Sequence, residues 1–310
     1  MKILVTCPPM LGMKEQFIPI MESMGFEAVC PEVTQTLSVE ELVELVPDVD
    51  GWIIGDDPAT AEVFQAGKAG KLKAAVKWGI GVDNVDFYAC RELGIPITNT
   101  PNMFGAEVAD VALGYVIALA RETFAIDKGV REGRWPKNRG ISLENKTVGV
   151  IGFGDIGSNA VKRLNACGMN SIVWDPGVKE IAQDVGSLKS WPDGVEDCDF
   201  LVFTCALNKH NFHMLDAAVL DKCKPGVRVV NVARGPLIDQ EALESALEKG
   251  KVHSAALDVF EVEPLSMDSY LRSHPLCVFG SHNSSNTKDA VEKTNSKAIG
   301  YIAEFLSASR

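Results

Sequence analysis

Short apolar runs alternate with amphipathic stretches from the first residue onward. MKILVT, then residues 13–24, then EAVC, lead to a segment opened by Ser38-x-x-Glu41, a pair whose hydroxyl and carboxylate can cap a helix start reciprocally. GWIIG at 51–55, KAAVKWG at 73–79 and IPITN at 95–99 read as strands, with helical stretches at 60–66 and 87–93 between them. That rhythm belongs to a parallel sheet with helices on its faces, so the first hundred residues predict one α/β unit.

A long helical pattern then runs from 105 to about 124, followed by AIDKGVREGRWPKNRGISLENK, which is polar, basic in its middle and broken by Gly133, Pro136 and Gly140. It reads as an arm or linker over 125–146. Beyond it the alternation resumes: strands at 148–152, 171–175, 200–204, 228–232 and 254–260, with helices at 156–167 and 240–249. From 287 to the end, Val291, Ala298, Ile302 and Phe305 stand among charges as one apolar stripe of a helix. A helix after the second domain has to pack somewhere, and the expectation is that it crosses back onto the first. The predicted fold class is therefore α/β, with two Rossmann-like doubly wound parallel-sheet domains and a cleft between them. One domain is discontinuous (1–99 plus 287–310), and the other spans 100–286 and carries the arm.

The run VGVIGFGDIG gives the second domain its chemistry, because it breaks into Gly152-x-Gly154-x-x-Gly157 where a buried strand hands over to a helix. In a dinucleotide site one such glycine permits the tight turn, one lets a pyrophosphate approach the backbone, and one brings helix close to strand. The pattern alone is weak, since methyltransferases and ordinary strand-to-helix turns share it. The next strand, SIVWD, ends on Asp175, 21 residues after Gly154, close to the spacing of roughly 20 at which a carboxylate accepts from the adenosine ribose hydroxyls. An acid there would repel the 2′-phosphate of NADP and selects NAD, although Lys179 follows closely. The alternative for Asp175 is a turn-starting acid before Pro176.

Composition narrows the classes. A formal net charge of −12 disfavours a nucleic-acid surface. The longest apolar stretch, ALGYVIALA at 112–120, is too short to span a bilayer, and MKILVTCPP reads as a first strand, with too short an apolar run for a signal peptide. Residence in the cytoplasm, without membrane attachment, is expected. Eight cysteines stand singly with no C-x-x-C pair, so neither a metal site nor a redox couple is expected.

Three ionisable residues stand at the ends of apparent strands, where open α/β sheets bind ligands: Arg234 in VVNVARG, Glu263 in FEVEP and His282 in VFGSHNSS. A 2-keto acid that accepts hydride needs a cation for its carboxylate, a proton donor for its carbonyl, and a group that tunes the donor. Arg234 offers a planar fork, His282 a proton, and Glu263, if it contacts the imidazole, favours the protonated ring. Each has a plainer alternative: a surface ion pair for Arg234, a structural or exposed ring for His282, and a solvated loop acid for Glu263. His210, His213, His253 and His274 are left with that plainer reading.

Taken in order, the glycine turn with Asp175, NVARGPLID, ALDVFEVEP and the late histidine resemble the D-2-hydroxyacid dehydrogenases, particularly phosphoglycerate dehydrogenase-like members. KWGIGVDNVD and ITNTPN, with the long helix after them, match the same family, so the resemblance covers nearly the whole chain. It implies Arg234, Glu263 and His282 as the catalytic set. It implies NAD held by Gly152, Gly154, Asp155, Ile156, Gly157, Asp175, Thr204, Cys205, Ala206, Ala233 and Asp258, with Asp258 on the nicotinamide amide. Substrate binding would fall to Lys77, Gly79, Ile80, Gly81 and Arg234, with backbone N–H groups near Ile80 and Gly81 on the carboxylate. The discontinuous domain would bind substrate, and the arm near Trp135 would belong to a homodimer.

Departures sharpen the expectation. Family members often place the histidine in P-H-I-G-G, whereas here it stands in Ser281-His282-Asn283-Ser284-Ser285, and the glycine loop begins with Lys77-Trp78 in place of arginine. Phosphoglycerate dehydrogenases usually carry an arginine and a hydroxyl after the third strand, and this chain has Gly55-Asp56-Asp57. Two carboxylates there repel a phosphate unless they face away, and Lys77 can compensate. Glu263 argues against the formate dehydrogenase branch, where glutamine takes this place, and the sequence offers no extension for a serine-sensing domain. The expected activity is NAD-dependent interconversion of a D-2-hydroxy acid and its 2-keto acid. The narrower alternative is 3-phosphoglycerate dehydrogenase, and an NAD(H)-sensing binding protein without turnover is the alternative from another class.

Overall fold

The computed structural model describes residues 1–308, and the chain divides into two compact units: Met1–Met103 together with the segment from Asn286 on, and Phe104–Ser285. The first unit holds five parallel strands, β1 (Lys2–Val5), β2 (Glu27–Val29), β3 (Gly51–Ile54), β4 (Ala74–Lys77) and β5 (Ile97–Asn99), in the order β2-β1-β3-β4-β5. All four residues of β3 and of β4 are buried, which is why β3 and the first three residues of β4 read as apolar runs without alternation. Leu4, Trp52, Ile54, Phe64 and Ala75 fill the space between this sheet and its helices. Ser38 and Glu41 form the reciprocal cap that their spacing implies.

The long helix Lys288–Ala308 packs on β3 and β4. A side chain at Gly51 would come within 3.0 Å of Ile302, so the glycine lets strand and helix approach. Asn295 on that helix accepts from Trp78 Nε1 at 2.8 Å, just beyond β4.

The second unit holds seven parallel strands: β6 (Thr147–Ile151), β7 (Asn170–Trp174), β8 (Ser187–Leu188), β9 (Phe200–Phe203), β10 (Val227–Asn231), β11 (Val252–Leu257) and β12 (Val278–Phe279). Their order, β12-β11-β10-β9-β6-β7-β8, reverses direction between β6 and β9. At such a reversal the connections leave on opposite faces of the sheet and open a crevice at the carboxyl ends of the strands. Gly149 in β6 makes room for the Trp174 ring, which a Cβ there would meet at 2.4 Å. Burying Leu201, Phe203, Val229 and Leu257 in this core contributes about 1.5–3 kcal/mol per side chain.

Two local readings need correction. The long helix ends at Arg121, where Glu122 takes a left-handed conformation (φ 54), and a second helix, Thr123–Arg131, occupies the first part of the segment expected to be an irregular arm. Arg131 pairs with Asp127 one turn back, and Pro136 folds back on Gly129, where a Cβ would lie 2.8 Å from its ring. The second correction is strand β8, which is two residues long and leaves no periodic signal, whereas β12, equally short, is the apparent strand expected before His282.

Asp57 ties the first sheet together. Its Oδ1 accepts from Leu37 N at 2.9 Å, and its Oδ2 accepts from Gly55 N at 3.1 Å and from the Thr6 hydroxyl. Burial pushes the carboxyl above its usual range, with the Thr6 hydroxyl and the two N–H groups pulling the other way. Removing it leaves buried donors unpaired at about 1–3 kcal/mol each. Asp57→Ala is therefore expected to lose about 3 kcal/mol in denaturant unfolding, and Asp57→Asn clearly less; equal stabilities for Asp57→Ala and wild type would contradict this account.

Candidate active site

The glycine turn sits at the carboxyl end of β6, beside the reversal. Gly152 has φ 97, and a Cβ there would meet the Cys205 backbone at 2.7 Å. A Cβ on Gly157 would lie 2.0 Å from Gly152 O, so helix Asp155–Ala166 can press against the strand only with glycine at this position. Thr204 Oγ1 donates within the same turn, 3.0 Å from the carbonyls of both Ile151 and Gly152. Asp175, at the end of β7, accepts from Phe153 N at 2.7 Å and from Gly177 N at 2.8 Å. It braces the glycine turn and starts its own turn as well.

Gly154 is different. It caps the helix without a side-chain partner, and a Cβ added to it meets nothing within 4 Å. The protein needs no glycine there for its own packing. Open space in front of a helix N-terminus, where backbone N–H groups and the helix dipole favour negative charge, fits a pyrophosphate. The residues present thus fit NAD. Asp155 lies against the start of helix Gly105–Arg121, where a Cβ on Gly105 would come within 2.2 Å of its carboxylate. Ile156 follows it in the first helical turn, half-buried. Burial pushes the Cys205 thiol up to about 12, so it packs as an apolar group beside the turn. Ala206 is exposed, while Ala233 is buried at the end of β10.

The turns after β10, β11 and β12 bring the ionisable residues together. His282 Nδ1 lies 2.8 Å from Glu263 Oε2, and both side chains are 21% exposed. The contact fixes which edge of the ring faces Glu263, with donor and acceptor set by the tautomer. Glu263 is itself aimed, since its Oε1 accepts from Phe260 N at 3.0 Å. His282 has φ 57. Its N–H donates to Asp258 O at 2.7 Å, and the buried Asp258 side chain accepts from Asn283 N, Ser284 N and Ser284 Oγ at 3.1, 2.9 and 2.5 Å. Gly280 keeps this arrangement open, because a Cβ there would sit 1.9 Å from Asp258 Oδ1 and 2.6 Å from the Tyr115 hydroxyl. Burial first, and then the Asp258 carboxylate, push the Tyr115 phenol up to about 12. Arg234 opens the turn after β10. Its Nη1 donates to Ala233 O at 2.9 Å, and its carbonyl accepts from Asn231 Nδ2 at 2.8 Å. Gly235, next to it, packs on the Phe260–Glu261 peptide so tightly that a Cβ would come within 1.9 Å.

In the first unit the two adjacent acids have different fates. Asp57 faces inward, as described. Asp56 Oδ1 pairs with Lys77 Nζ at 2.9 Å, and the same ammonium donates to Gly55 O at 2.6 Å, with Lys77 only 2% exposed. Gly79 follows with φ 116, and its N–H donates to Thr100 Oγ1 at 2.7 Å. Asn99 Nδ2 donates to Ile80 O at 3.2 Å, which pins the loop leading into Gly81.

Residues 113–284 match the family model described as D-isomer specific 2-hydroxyacid dehydrogenase, NAD binding domain. The chain belongs to the D-isomer specific 2-hydroxyacid dehydrogenase family. NAD is accordingly its cofactor. The chain is 37% identical over 312 residues to D-3-phosphoglycerate dehydrogenase of Methanocaldococcus jannaschii, covering 98% of this chain and 57% of that protein. It is 38% identical to hydroxypyruvate reductase of Thermotoga maritima, covering 75% of this chain and 76% of that protein. Among solved structures, the apo-structure of D-lactate dehydrogenase from Escherichia coli superposes with a TM-score of 0.84 at 26% identity, covering 99% of this chain and 98% of that one. The chain spans little more than half the length of the archaeal phosphoglycerate dehydrogenases that it matches.

Sequence reasoning within this family singled out neither Asn231 and Ser284, which hold the site's turns, nor Tyr115, whose phenol feels the Asp258 charge, nor His213, which pairs with Glu261 at 2.5 Å. No spacing rule joins such distant positions. Among the described residues there is no group of three or more metal-binding side chains, and no helix is long and apolar enough to cross a membrane.

Gly154 gives a clean test of cofactor fit. Gly154→Ala is expected to fold with wild-type thermal stability yet bind NADH at least tenfold more weakly, since the added methyl meets no protein atom and only a ligand can feel it. Fluorescence titration beside a melting curve checks this. Unchanged NADH affinity would mean that the open space serves something else.

Proposed function

We propose that this protein is an NAD-dependent oxidoreductase that interconverts a D-2-hydroxy acid and its 2-keto acid, and that its substrate is short and unphosphorylated, of the hydroxypyruvate or glyoxylate kind. The observation that carries the reading is the 2.8 Å pair of His282 and Glu263, held in a unit that matches the family's NAD-binding domain and packed turn to turn with Arg234. Bound NADH supplies the hydride. Arg234 presents its fork to the substrate carboxylate and the carbonyl beside it, fixing the keto acid and drawing charge toward oxygen. His282 Nε2 delivers a proton to the carbonyl oxygen as C2 becomes tetrahedral, and takes it back in the reverse direction. Glu263 holds the ring through Nδ1, which fixes the tautomer and the aim of Nε2. Asp175 is assigned to the adenosine ribose and Asp258 to the nicotinamide end. Backbone N–H groups at Ile80 and Gly81 are assigned to the substrate carboxylate.

The charge at the ends of β3 and β4 favours the unphosphorylated substrate. Lys77 is the cation that could meet a phosphate, but its ammonium is engaged by Asp56 and Gly55 O. A dianion brought there meets a neutralised pair and not a free charge. Phosphohydroxypyruvate is the second reading, favoured by the likeness to the archaeal phosphoglycerate dehydrogenase. We also propose a cytoplasmic homodimer in which exposed Trp135 of the arm, with Phe124 just before it, faces a second copy.

Two outcomes test the assignments. His282→Ala is expected to lose at least a thousandfold in kcat while keeping wild-type NADH affinity, in line with loss of a positioned acid; a variant as fast as wild type refutes the role. Asp56→Ser, which releases the Lys77 ammonium, is expected to raise kcat/KM for phosphohydroxypyruvate about tenfold relative to hydroxypyruvate, an effect of one ion pair's size. A wild-type protein that already prefers the phosphorylated acid would overturn the unphosphorylated assignment. Tight NADH binding without turnover of any 2-keto acid would favour a sensor.

A further inference from the structure

His213 reaches two turns at once. It lies beyond β9 with φ 50, a left-handed conformation. Its backbone N–H donates to Pro236 O at 2.8 Å, in the turn that begins at Arg234. Its ring Nε2 lies 2.5 Å from Glu261 Oε1, in the turn that carries Glu263. The same Glu261 oxygen accepts from Gln240 N at 3.2 Å, so the carboxylate bridges the imidazole and the start of helix Gln240–Glu248. Asp239 Oδ2 stands 4.0 Å from Nδ1, and the Phe212 ring stacks on the imidazole with 4.0 Å between centroids.

We propose that His213 is a positioning residue that sets the spacing between the Arg234 turn and the Glu263 turn, and through Glu263 the aim of His282. This inference rests on the reading of Arg234, Glu263 and His282 given above. The two turns already touch through the Gly235 backbone on the Phe260–Glu261 peptide. The His213–Glu261 bond ties the two turns together a second time, through side chains beside that backbone contact. Because about a third of each partner's side chain is exposed (32% and 29%), the pair adds little to global stability. Catalysis is more sensitive, since small misplacements of substrate-holding groups cost far more in rate than in folding.

The experiment compares His213→Asn, Glu261→Ala, the double variant and Glu261→Gln. Asparagine accepts the left-handed backbone but is too short to reach Glu261, whereas glutamine at 261 still accepts from both the ring and Gln240 N. Steady-state kinetics with the 2-keto acid that wild type reduces fastest are read beside NADH affinity and Tm. His213→Asn and Glu261→Ala are each expected to lower kcat/KM about tenfold with NADH affinity and Tm near wild type, the double variant to be no worse than either single one, and Glu261→Gln to stay near wild type. Wild-type kcat/KM in His213→Asn, strictly additive losses, or a fall in Tm alone would overturn the positioning role while leaving the reaction to be decided by His282→Ala. Absence of turnover by the wild type with every 2-keto acid would overturn both.

Discussion

Where the imidazole of His282 stands is set by one buried carboxylate. Asp258, just past β11, accepts from Asn283 N, Ser284 N and Ser284 Oγ, and its own carbonyl accepts from His282 N. These bonds fold the chain after β12 into a tight turn and hold His282 in a left-handed conformation. Glu263 then meets the ring at 2.8 Å and sets its orientation. Removing the carboxylate would unpair buried N–H groups and release the turn together, so the folding and the chemistry of this corner depend on the same bonds.

The glycine turn works in the opposite way, by leaving room. Gly152 and Gly157 are required by the protein's own contacts, while Gly154 faces open space before a helix N-terminus. Three glycines of one motif thus answer to different constraints: two to packing, and one to no contact within the protein. Asp175 links the turn to β7 through Phe153 N, so the residue assigned to the ribose also stiffens the place where the pyrophosphate would rest.

Much of this architecture was legible in the sequence. Strands β3 and β9 lie buried over their whole length, and that is what their continuous apolar runs mean. The pairing of Glu263 with His282 was open to inference because each stands just past an apolar strand. Other features were hidden for physical reasons. Asp56 and Asp57 are neighbours with the same side chain, yet one is buried in a set of backbone donors and the other pairs with Lys77; only the direction of each Cβ in the bend after β3 decides. The helix Thr123–Arg131 reads as polar arm because Gly129 is its only buried residue, and Pro136 folds back on it, a contact no local pattern records. His213 meets Glu261 across far more sequence than any motif spans.

The most direct test of the central claim is the fate of a labelled hydride. The protein is incubated with NADH deuterated at both C4 positions and hydroxypyruvate, and the product is examined for deuterium at C2 and for configuration. The account predicts glycerate carrying one deuterium at C2, of D configuration, formed by wild type and not by His282→Ala. Product of L configuration, or product without deuterium at C2, would contradict it.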